Sequence, residues 1–424
     1  MITSMKKLNL LIGTFALAAT IVSCSSDEVV VHQDNAPGIT NQSIGFSPLS
    51  RAVSRSNVLS QTSDMSSFRV MGFWAEDAAN KMYIQGIEKD YTTGPGTTPT
   101  AGSAYEGFGT YTSNGQTGIE IVQRSGGAWD YKNSSEIQYW PFSAVGDPVT
   151  SYDCAKLNFK AVTPASSDLD LAADTYGYTT PAVASMEDIC YATISNQTNV
   201  NSPVTLTFNH LFSQIVFNAK RPDNYEVQIK EIEIGGVKTQ GQYTNLSSTP
   251  FAVTATGNTS KFQGFTTASE YIEVGRNATD TALTVQITPA KSELLLLPQT
   301  VEKWTKDANA TSPEDKPSTS AKGTIKIVYR ARIAGATSWA TAAADGSTTY
   351  ATVYYPISAT WEAGKKYVYA LLFGGVTNSD PGEDGDDPDD GPYDEDGNIK
   401  PQAIPITFSA TVSDWTTTNV DVEF

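Results

Sequence analysis

The chain has 424 residues, with 46 acidic and 28 basic side chains and a formal net charge of −18 at pH 7. Such acidity argues against nucleic-acid binding, because phosphate contacts require clusters of basic residues. Ten of the carboxylates lie in one segment, residues 380–396, which contains no basic residue. The abundance of Thr, Ser, Gly, Asn and aromatic residues, in many short alternating segments, is typical of an all-β secreted protein.

The N-terminus has the pattern of a lipoprotein signal peptide. Lys6 and Lys7 precede an apolar stretch, residues 8–22, that is shorter than the ~20 residues needed to span a bilayer. The last four residues of this region, Ile-Val-Ser-Cys, resemble a bacterial lipobox, which predicts a signal peptide over residues 1–23 and a lipid on Cys24. The alternative is an ordinary signal peptide followed by an incidental cysteine.

The residues after Cys24 indicate where the lipoprotein is exported. The short acidic tail SSDE, residues 25–28, looks like the signal that sends Bacteroidetes lipoproteins to the outer face of the outer membrane. No later segment is apolar for long enough to cross a membrane, since residues 294–297 form a run of only four leucines.

Residues 24–55 predict a tether followed by a short strand. Ile44 and Phe46 alternate with small residues, as expected of a strand with one buried face. A polar, serine-rich loop follows and carries Arg51 and Arg55, where a trypsin-like specificity could cut. The alternative is that both arginines are simply solvated.

The rest of the chain predicts two tandem β-sandwich domains, residues 56–221 and 222–424, with the boundary near Pro222. The clearest strand signal is residues 204–220, VTLTFNHLFSQIVFNAK, in which the alternation changes phase. We therefore expect a bulge or turn near residues 211–213. Segments of 5–10 residues separated by turn residues suit Greek-key sandwiches.

Catalytic motifs are absent, so we predict that the protein is not an enzyme and needs no cofactor. The two histidines, His32 and His210, are far apart, and a histidine within an alternating apolar strand, as His210 is, is expected to be a hydrogen-bonded core residue. A carboxylate pair for glycoside hydrolysis stays open as an alternative, because its spacing is three-dimensional. Cys154 and Cys190 could pair or remain free thiols.

The acidic segment has a weak resemblance to a calcium loop. Asp394, Asp396 and Asn398 are the candidate ligands, but the first ligand and the bidentate carboxylate of an EF-hand are missing. A solvated, self-repelling linker is the favoured interpretation.

Three stretches together resemble the fimbrillin-like lipoproteins of Bacteroidetes, the type V pilins, which include major and minor fimbrial subunits. The first is DICYA, residues 188–192, followed by VTLTFNHLFSQIVF. The second is TWEAGKKYVYALLF, residues 360–373, and the third is the C-terminus from residue 406, ITFSATVSDWTTTNVDVEF.

The resemblance implies transthyretin-like β-sandwiches and an assembly mechanism. An arginine- or lysine-specific protease would remove the N-terminal segment after export, here at Arg51 or Arg55. The strand anchored by Ile44 and Phe46 would leave a groove, which a strand of the next subunit would fill. The implied partners are other pilin subunits, of the same or a paralogous chain, the maturation protease, the outer membrane through the lipid, and a surface ligand on a host or bacterium. The implied location is a fimbria on the outer-membrane surface.

The C-terminal segment is the favoured donor strand. Its candidate pocket residues are Ile406, Phe408 and Val412, with Trp415 nearby, and residues 374–403 would be a hydrated hinge that lets the strand swing out. The alternative is that this segment is an ordinary core strand of the second domain.

The competing function is a surface lipoprotein that binds glycans and keeps its lipid. Seven Trp and 20 Tyr could supply stacking platforms, although packing within strands explains most aromatic residues in a β protein.

Overall fold

The computed structural model describes the following parts of the chain: residues 43–50, 65–75, 82–83, 89–90, 94–95, 112–113, 115–145, 151–221, 224–248, 252–266, 271–274, 283–284, 294–305, 317, 321–339, 350–373 and 406–414. All of them lie in the compact unit Gln42–Phe424. Within these residues there is no α-helix, only three short 3-10 turns, Ser134–Glu136, Val183–Ser185 and Asn199–Asn201. No helix among them is long and apolar enough to cross a membrane.

The strands up to residue 210 are β1 (Phe46–Ser50), β2 (Ser67–Trp74), β3 (Lys89–Asp90), β4 (Gly94–Pro95), β5 (Thr112–Ser113), β6 (Gln116–Thr117), β7 (Ile119–Gln123), β8 (Trp129–Tyr131), β9 (Phe142–Val145), β10 (Ser151–Cys154), β11 (Leu157–Thr163), β12 (Thr175–Thr179), β13 (Cys190–Gln197) and β14 (Val204–His210). The later strands are β15 (Ser213–Lys220), β16 (Tyr225–Thr244), β17 (Ala252–Thr266), β18 (Ile272–Glu273), β19 (Leu283–Thr284), β20 (Leu294–Leu296), β21 (Gln299–Val301), β22 (Thr324–Ile333), β23 (Ala351–Pro356), β24 (Ala359–Trp361), β25 (Lys365–Phe373) and β26 (Ile406–Asp414). The all-β prediction is confirmed.

One large sheet contains strands from the first half of the chain only. Its seven strands run in the order β1-β14-β13-β11-β2-β7-β8, so β1 and β8 form its two edges. The pair of β1 and β14 is parallel, and the other pairs are antiparallel. Of the inner strands, β2 is buried continuously from Phe68 to Trp74, as expected of a strand covered on both faces, whereas β11 alternates between buried and half-buried residues before its last three buried ones.

Two further sheets are built mainly from the second half. One runs β12-β16-β22-β23, with β17 and β18 also paired to β16, and the other runs β19-β15-β25-β26, with β20 paired to β15. The rings of Tyr329 in β22 and Phe373 in β25 lie 5.3 Å apart, so side chains of these two sheets meet in a common core.

The change from the first sheet to the others occurs at Leu211 and Phe212, between β14 and β15. Both residues are fully buried, and the hydroxyl of Tyr243 donates a 2.8 Å hydrogen bond to the carbonyl of Leu211. The predicted break near residues 211–213 is therefore present. Among the described strands, β15 pairs with later strands and β12 pairs with β16, so sheet membership does not follow a single cut at Pro222. The division into two tandem Greek-key sandwiches stays a prediction.

Candidate functional site

The N-terminal strand β1 lies at the edge of the seven-stranded sheet, with β14 as its neighbour. The register pairs Phe46 with Val204 and continues for five residues to Ser50 opposite Phe208. The carbonyl of Gly45 accepts a 2.7 Å hydrogen bond from the amide of Val204. The backbone amide and carbonyl groups of the odd-numbered residues therefore point toward β14, and those of the even-numbered residues point away from it. The nitrogen of Pro48, which has no hydrogen to donate, faces away from β14. A proline is tolerated at such a position of an edge strand, because no ladder bond is lost.

The even-numbered side chains of this segment enter the core. Ile44 is fully buried, Phe46 is 4% exposed and Pro48 is buried, whereas Leu49 is 49% exposed. The Phe46 ring makes edge contacts with Phe159, Phe68 and Tyr131, at centroid distances of 5.4, 6.2 and 6.4 Å. The prediction that Ile44 and Phe46 share a buried face of a strand agrees with this geometry. Their role as anchors of a removable strand stays a prediction.

Hydrogen bonds fix the entry to β1. The Ile44 amide donates to the Gln138 carbonyl at 2.8 Å, and the Tyr131 hydroxyl donates to the Ile44 carbonyl at 2.8 Å. The Gly45 amide donates to the hydroxyl of Ser202 at 3.3 Å. Burial raises the pKa of Tyr131 far above its ordinary value, so its hydroxyl stays protonated and remains a donor.

Strand β1 ends at Ser50, and the next residue is Arg51. Arg51 and Arg55 lie outside the described residues, and so do Cys24, Trp415 and the acidic segment with Asp394, Asp396 and Asn398. Their proposed roles stay predictions. What the structure places near the candidate cleavage site is therefore the end of a buried edge strand.

The candidate donor segment is also an edge strand in this structure. Strand β26 pairs antiparallel with β25 over nine residues, from Ile406 opposite Phe373 to Asp414 opposite Lys365. Along this ladder Ile406, Phe408 and Val412 stand opposite residues of β25 that are buried. Within one chain the segment pairs with its own sheet, and β25 is its only partner among the strands that the structure describes. Its role as a donor strand stays a prediction.

His210 is the hydrogen-bonded core histidine that its position in the alternating strand predicted. It is 5% exposed, and its Nδ1 lies 2.8 Å from Oδ2 of Asp188, which is 1% exposed. The same nitrogen lies 3.2 Å from Sγ of Cys190, directly opposite His210 in the register of β13 and β14. These three groups converge closely enough to hold a metal ion, which sequence spacing did not indicate. Burial and the neighbouring carboxylate raise the pKa of the Cys190 thiol, and both Cys190 and Cys154 are free.

A buried arginine that the sequence did not single out holds a loop against the first sheet. Arg69 in β2 is 1% exposed, and its guanidinium donates to the carbonyls of Ala165, Thr117, Ser167 and Leu169 at 3.4, 2.5, 2.9 and 2.8 Å. Burial lowers its pKa to about 10, opposed by the charges of Asp170 and Asp168, so it remains charged at neutral pH. Its burial and its four carbonyl acceptors indicate a structural clamp.

The described tryptophans are mostly core residues. Trp74, Trp140, Trp304 and Trp361 are buried. The partly exposed Trp339 packs against the guanidinium groups of Arg330 and Arg332, whose centres lie 4.3 and 4.4 Å from its ring centroid. These positions are explained by packing and cation–π contacts, so they give no support to the glycan-binding alternative.

Comparisons with known proteins place the chain in a family. The fimbrillin-like family model matches residues 89–415, and no curated protein sequence matches significantly. A proposed cell adhesion protein from Bacteroides ovatus is 12% identical, with 90% of this chain and 100% of that chain covered and a TM-score of 0.42. A second one, from Bacteroides uniformis, is 12% identical, with 89% and 100% covered and a TM-score of 0.40.

The tip fimbrial protein Mfa3 from Porphyromonas gingivalis, with a C-terminal truncation, is 9% identical, with 83% of this chain and 94% of that chain covered and a TM-score of 0.28. The family match confirms the resemblance drawn from the three sequence stretches. Because it extends over more than half of the 424 residues, this chain belongs to the fimbrillin-like family.

Proposed function

We propose that this protein is a structural and adhesive subunit of a cell-surface fimbria, matured by proteolysis and polymerised by donor-strand exchange. Its membership of the fimbrillin-like family supports a role as a pilus subunit, and subunits of such fimbriae are generally not enzymes. The observation that carries the mechanism is the position of β1: a short N-terminal strand, anchored by Ile44 and Phe46 in the core, that forms one edge of a sheet and is followed at once by Arg51.

Loss of β1 would create an acceptor for another strand. The edge of β14 would present unpaired amide and carbonyl groups, including the Val204 amide now bonded to Gly45. The space left by Ile44 and Phe46 would expose apolar side chains of the core, and burying each such residue is worth about 1.5–3 kcal/mol. A strand with matching alternation satisfies both needs at once, because it supplies ladder bonds and anchors together.

The export steps follow from the N-terminal pattern. The lipid on Cys24 would hold the precursor on the outer face of the outer membrane, and an arginine-specific protease acting at Arg51 or Arg55 would separate the subunit from both the lipid and β1. The lipid is then a temporary tether for a polymerising subunit, and a subunit that anchors the fimbria would keep it.

The C-terminal strand β26 is the proposed donor. It is an edge strand of its sheet, and in the described part of the chain the ladder that its release breaks is the one with β25. The preceding segment, residues 374–403, would act as a hydrated hinge, because its carboxylates repel one another and disfavour collapse. Adhesion to a host or bacterial surface would be a property of the assembled fimbria.

Treatment of the purified, unlipidated precursor with an arginine-specific protease tests this function. We expect loss of the first ~50 residues, followed by a ladder of oligomers on an unboiled denaturing gel, since strand-exchanged junctions resist mild denaturant. The matched control is a precursor with Arg51→Ala and Arg55→Ala, which should stay uncut and monomeric. Complete cleavage at this site without any oligomer, alone or with other fimbrillin-like subunits, would contradict the proposal.

A further inference from the structure

The N-terminal strand and the C-terminal strand share a sequence. Residues 44–48 read IGFSP and residues 406–410 read ITFSA, so isoleucine, phenylalanine and serine recur at the same spacing. The first segment is the one whose Ile44 and Phe46 side chains enter the core, and the second begins β26. The repeat lies at the two edge strands that the proposed exchange would interchange.

We propose that β26 enters a second copy of this chain in place of β1, in the register that puts Ile406, Phe408 and Ala410 where Ile44, Phe46 and Pro48 now lie. This inference rests on the proposed function and adds its partner and its register. The partner is the same chain because the isoleucine and phenylalanine that fill the pocket in β1 recur at the same spacing in the chain's own C-terminal sequence.

The register follows from the pairing of β1. Phe46 stands opposite Val204 in a parallel ladder, so Phe408 would stand opposite Val204 of the second copy, Ser409 opposite Thr205 and Thr411 opposite Thr207. The strand would run parallel to β14, as β1 does. A slip of one residue would turn Ile406 and Phe408 to the opposite face, so the alternation leaves little freedom in the register.

At the position of Gly45, the donor strand has a residue that is more favourable in a strand. The donor has Thr407 there, and a β-branched residue is favoured in a strand where glycine is not. A Cβ atom placed on Gly45 would lie 3.5 Å from Cβ of Pro203 and 3.7 Å from Oγ of Ser202, which is ordinary contact distance. The backbone at this position therefore admits the Cβ atom that a side chain requires.

At the end of the repeat, too, the donor has the residues that are more favourable in a strand. Leu49, which is 49% exposed in β1, corresponds to the polar, β-branched Thr411, and Ser50, the last residue of β1, corresponds to the β-branched Val412. Pro48 corresponds to Ala410. Because the backbone nitrogen at this position faces away from β14, replacing proline by alanine changes no hydrogen bond of the ladder. The N-terminal strand is thus a weaker version of the strand that replaces it.

The hydrogen bonds that β26 loses on leaving its own sheet are replaced by those that it would form in the acceptor. Among the described strands, β26 pairs with β25 in its own chain and would pair with β14 in the acceptor, so one ladder replaces another. The outcome is then decided by the groove that cleavage opens and by how well the entering side chains fill it. Ile406 and Phe408 would favour exchange because they would fill the space that Ile44 and Phe46 leave.

Engineered cysteines test the register between copies. In a Cys154→Ser background, the pair Ser409→Cys with Thr205→Cys should cross-link neighbouring subunits after protease treatment, giving a ladder on a boiled, non-reducing gel. The matched control pairs Thr411→Cys with Thr205→Cys, which the register holds two residues apart along the strand, beyond the reach of a disulfide. Both precursors must show the wild-type unfolding transition before cleavage.

The outcomes separate this inference from the proposed function. Cross-linking of the first pair alone supports the register and the second copy as partner. An unboiled ladder with cross-linking of the offset pair, or of neither, overturns the register and leaves strand exchange standing. A ladder that forms only when another fimbrillin-like subunit is added overturns the second copy as partner. If no subunit combination forms a ladder, both proposals fail.

The weakness of β1 is tested with Gly45→Thr, which copies the donor at the position where the backbone admits a Cβ atom. After complete cleavage we expect oligomers to form about three- to fivefold more slowly than in the wild type, because the cleaved strand leaves more slowly. Leu49→Met is the matched control, because it keeps an apolar side chain on the exposed face and does not copy the donor, and it should change the rate by less than about twofold. An unchanged or faster rate for Gly45→Thr would overturn the view of β1 as the weaker strand.

Discussion

Truncation of Phe46 is the sharpest test of how β1 is held. The ring is 4% exposed and contacts three aromatic rings, those of Phe159, Phe68 and Tyr131. A buried Phe→Ala change costs about 3–5 kcal/mol, since the transfer free energy of the ring and the cavity left behind add together. We therefore expect Phe46→Ala to lower the free energy of unfolding of the first sheet by about that amount, or to release β1 locally if the rest of the sheet is more stable.

Urea unfolding of the uncleaved precursor, followed by tryptophan fluorescence, measures the global part of this effect. Hydrogen exchange of the Val204 amide, which donates to the Gly45 carbonyl at 2.7 Å, measures local release of β1. Leu49→Ala is the matched control, because it removes an aliphatic side chain from the same strand at a position that is 49% exposed, and it should cost under about 1 kcal/mol. Equal effects of the two substitutions, both on unfolding and on exchange of the Val204 amide, would refute the claim that β1 is anchored through Phe46.

Three further predictions concern the support of β1, the loop behind the first sheet and the hinge. Tyr131→Phe removes the 2.8 Å bond to the buried Ile44 carbonyl and should cost about 1–3 kcal/mol in urea unfolding; no loss would mean that this bond does not hold the strand. Burial raises the pKa of Asp174, but hydrogen bonds from Tyr191 and Ser247 together with the charge of Lys160 outweigh it, so the pKa is lowered. Its contribution to stability is therefore present above the unfolded pKa of ~3.9 and is lost as the pH falls through the lower folded pKa. Asp174→Asn, which suits the positive φ of 58°, should remove that part of the acid dependence of the melting temperature, and an unchanged profile would contradict it. Replacing residues 374–403 by a tight turn should abolish the oligomer ladder while leaving the monomer folded, and unchanged polymerisation would exclude the hinge.

The sequence predicted best what depends on local alternation. The buried face of Ile44 and Phe46, the break near residues 211–213 and the core position of His210 all follow from a period of two within one segment. These features need no knowledge of which strand lies beside which. The all-β class follows from the same local pattern.

Partnerships between distant segments could not be read in this way. The parallel pairing of β1 with β14, the pairing of β12 with β16 and the contact of Cys190 with His210 depend on which edges meet in space. Arg69 was missed for a related reason, because a charged residue in an apolar strand is recognisable as a clamp only when its four carbonyl acceptors are known. Sequence period fixes which face a residue occupies, but not which residues oppose it.

Cleavage after β1 leaves the contacts of this strand unchanged. It changes what happens when the strand dissociates. Before the cut, β1 is covalently joined to β2 through residues 51–66, and a covalent connection of this length holds a strand at an effective concentration on the order of millimolar. After the cut, the same buried side chains and the same bonds remain, but a strand that dissociates no longer returns from the tether. The donor strand of another copy then competes with a free fragment instead of with a tethered one. A weak N-terminal strand is an advantage in this scheme, because it need only protect the groove while the tether is intact, and the proteolytic step alone can start assembly.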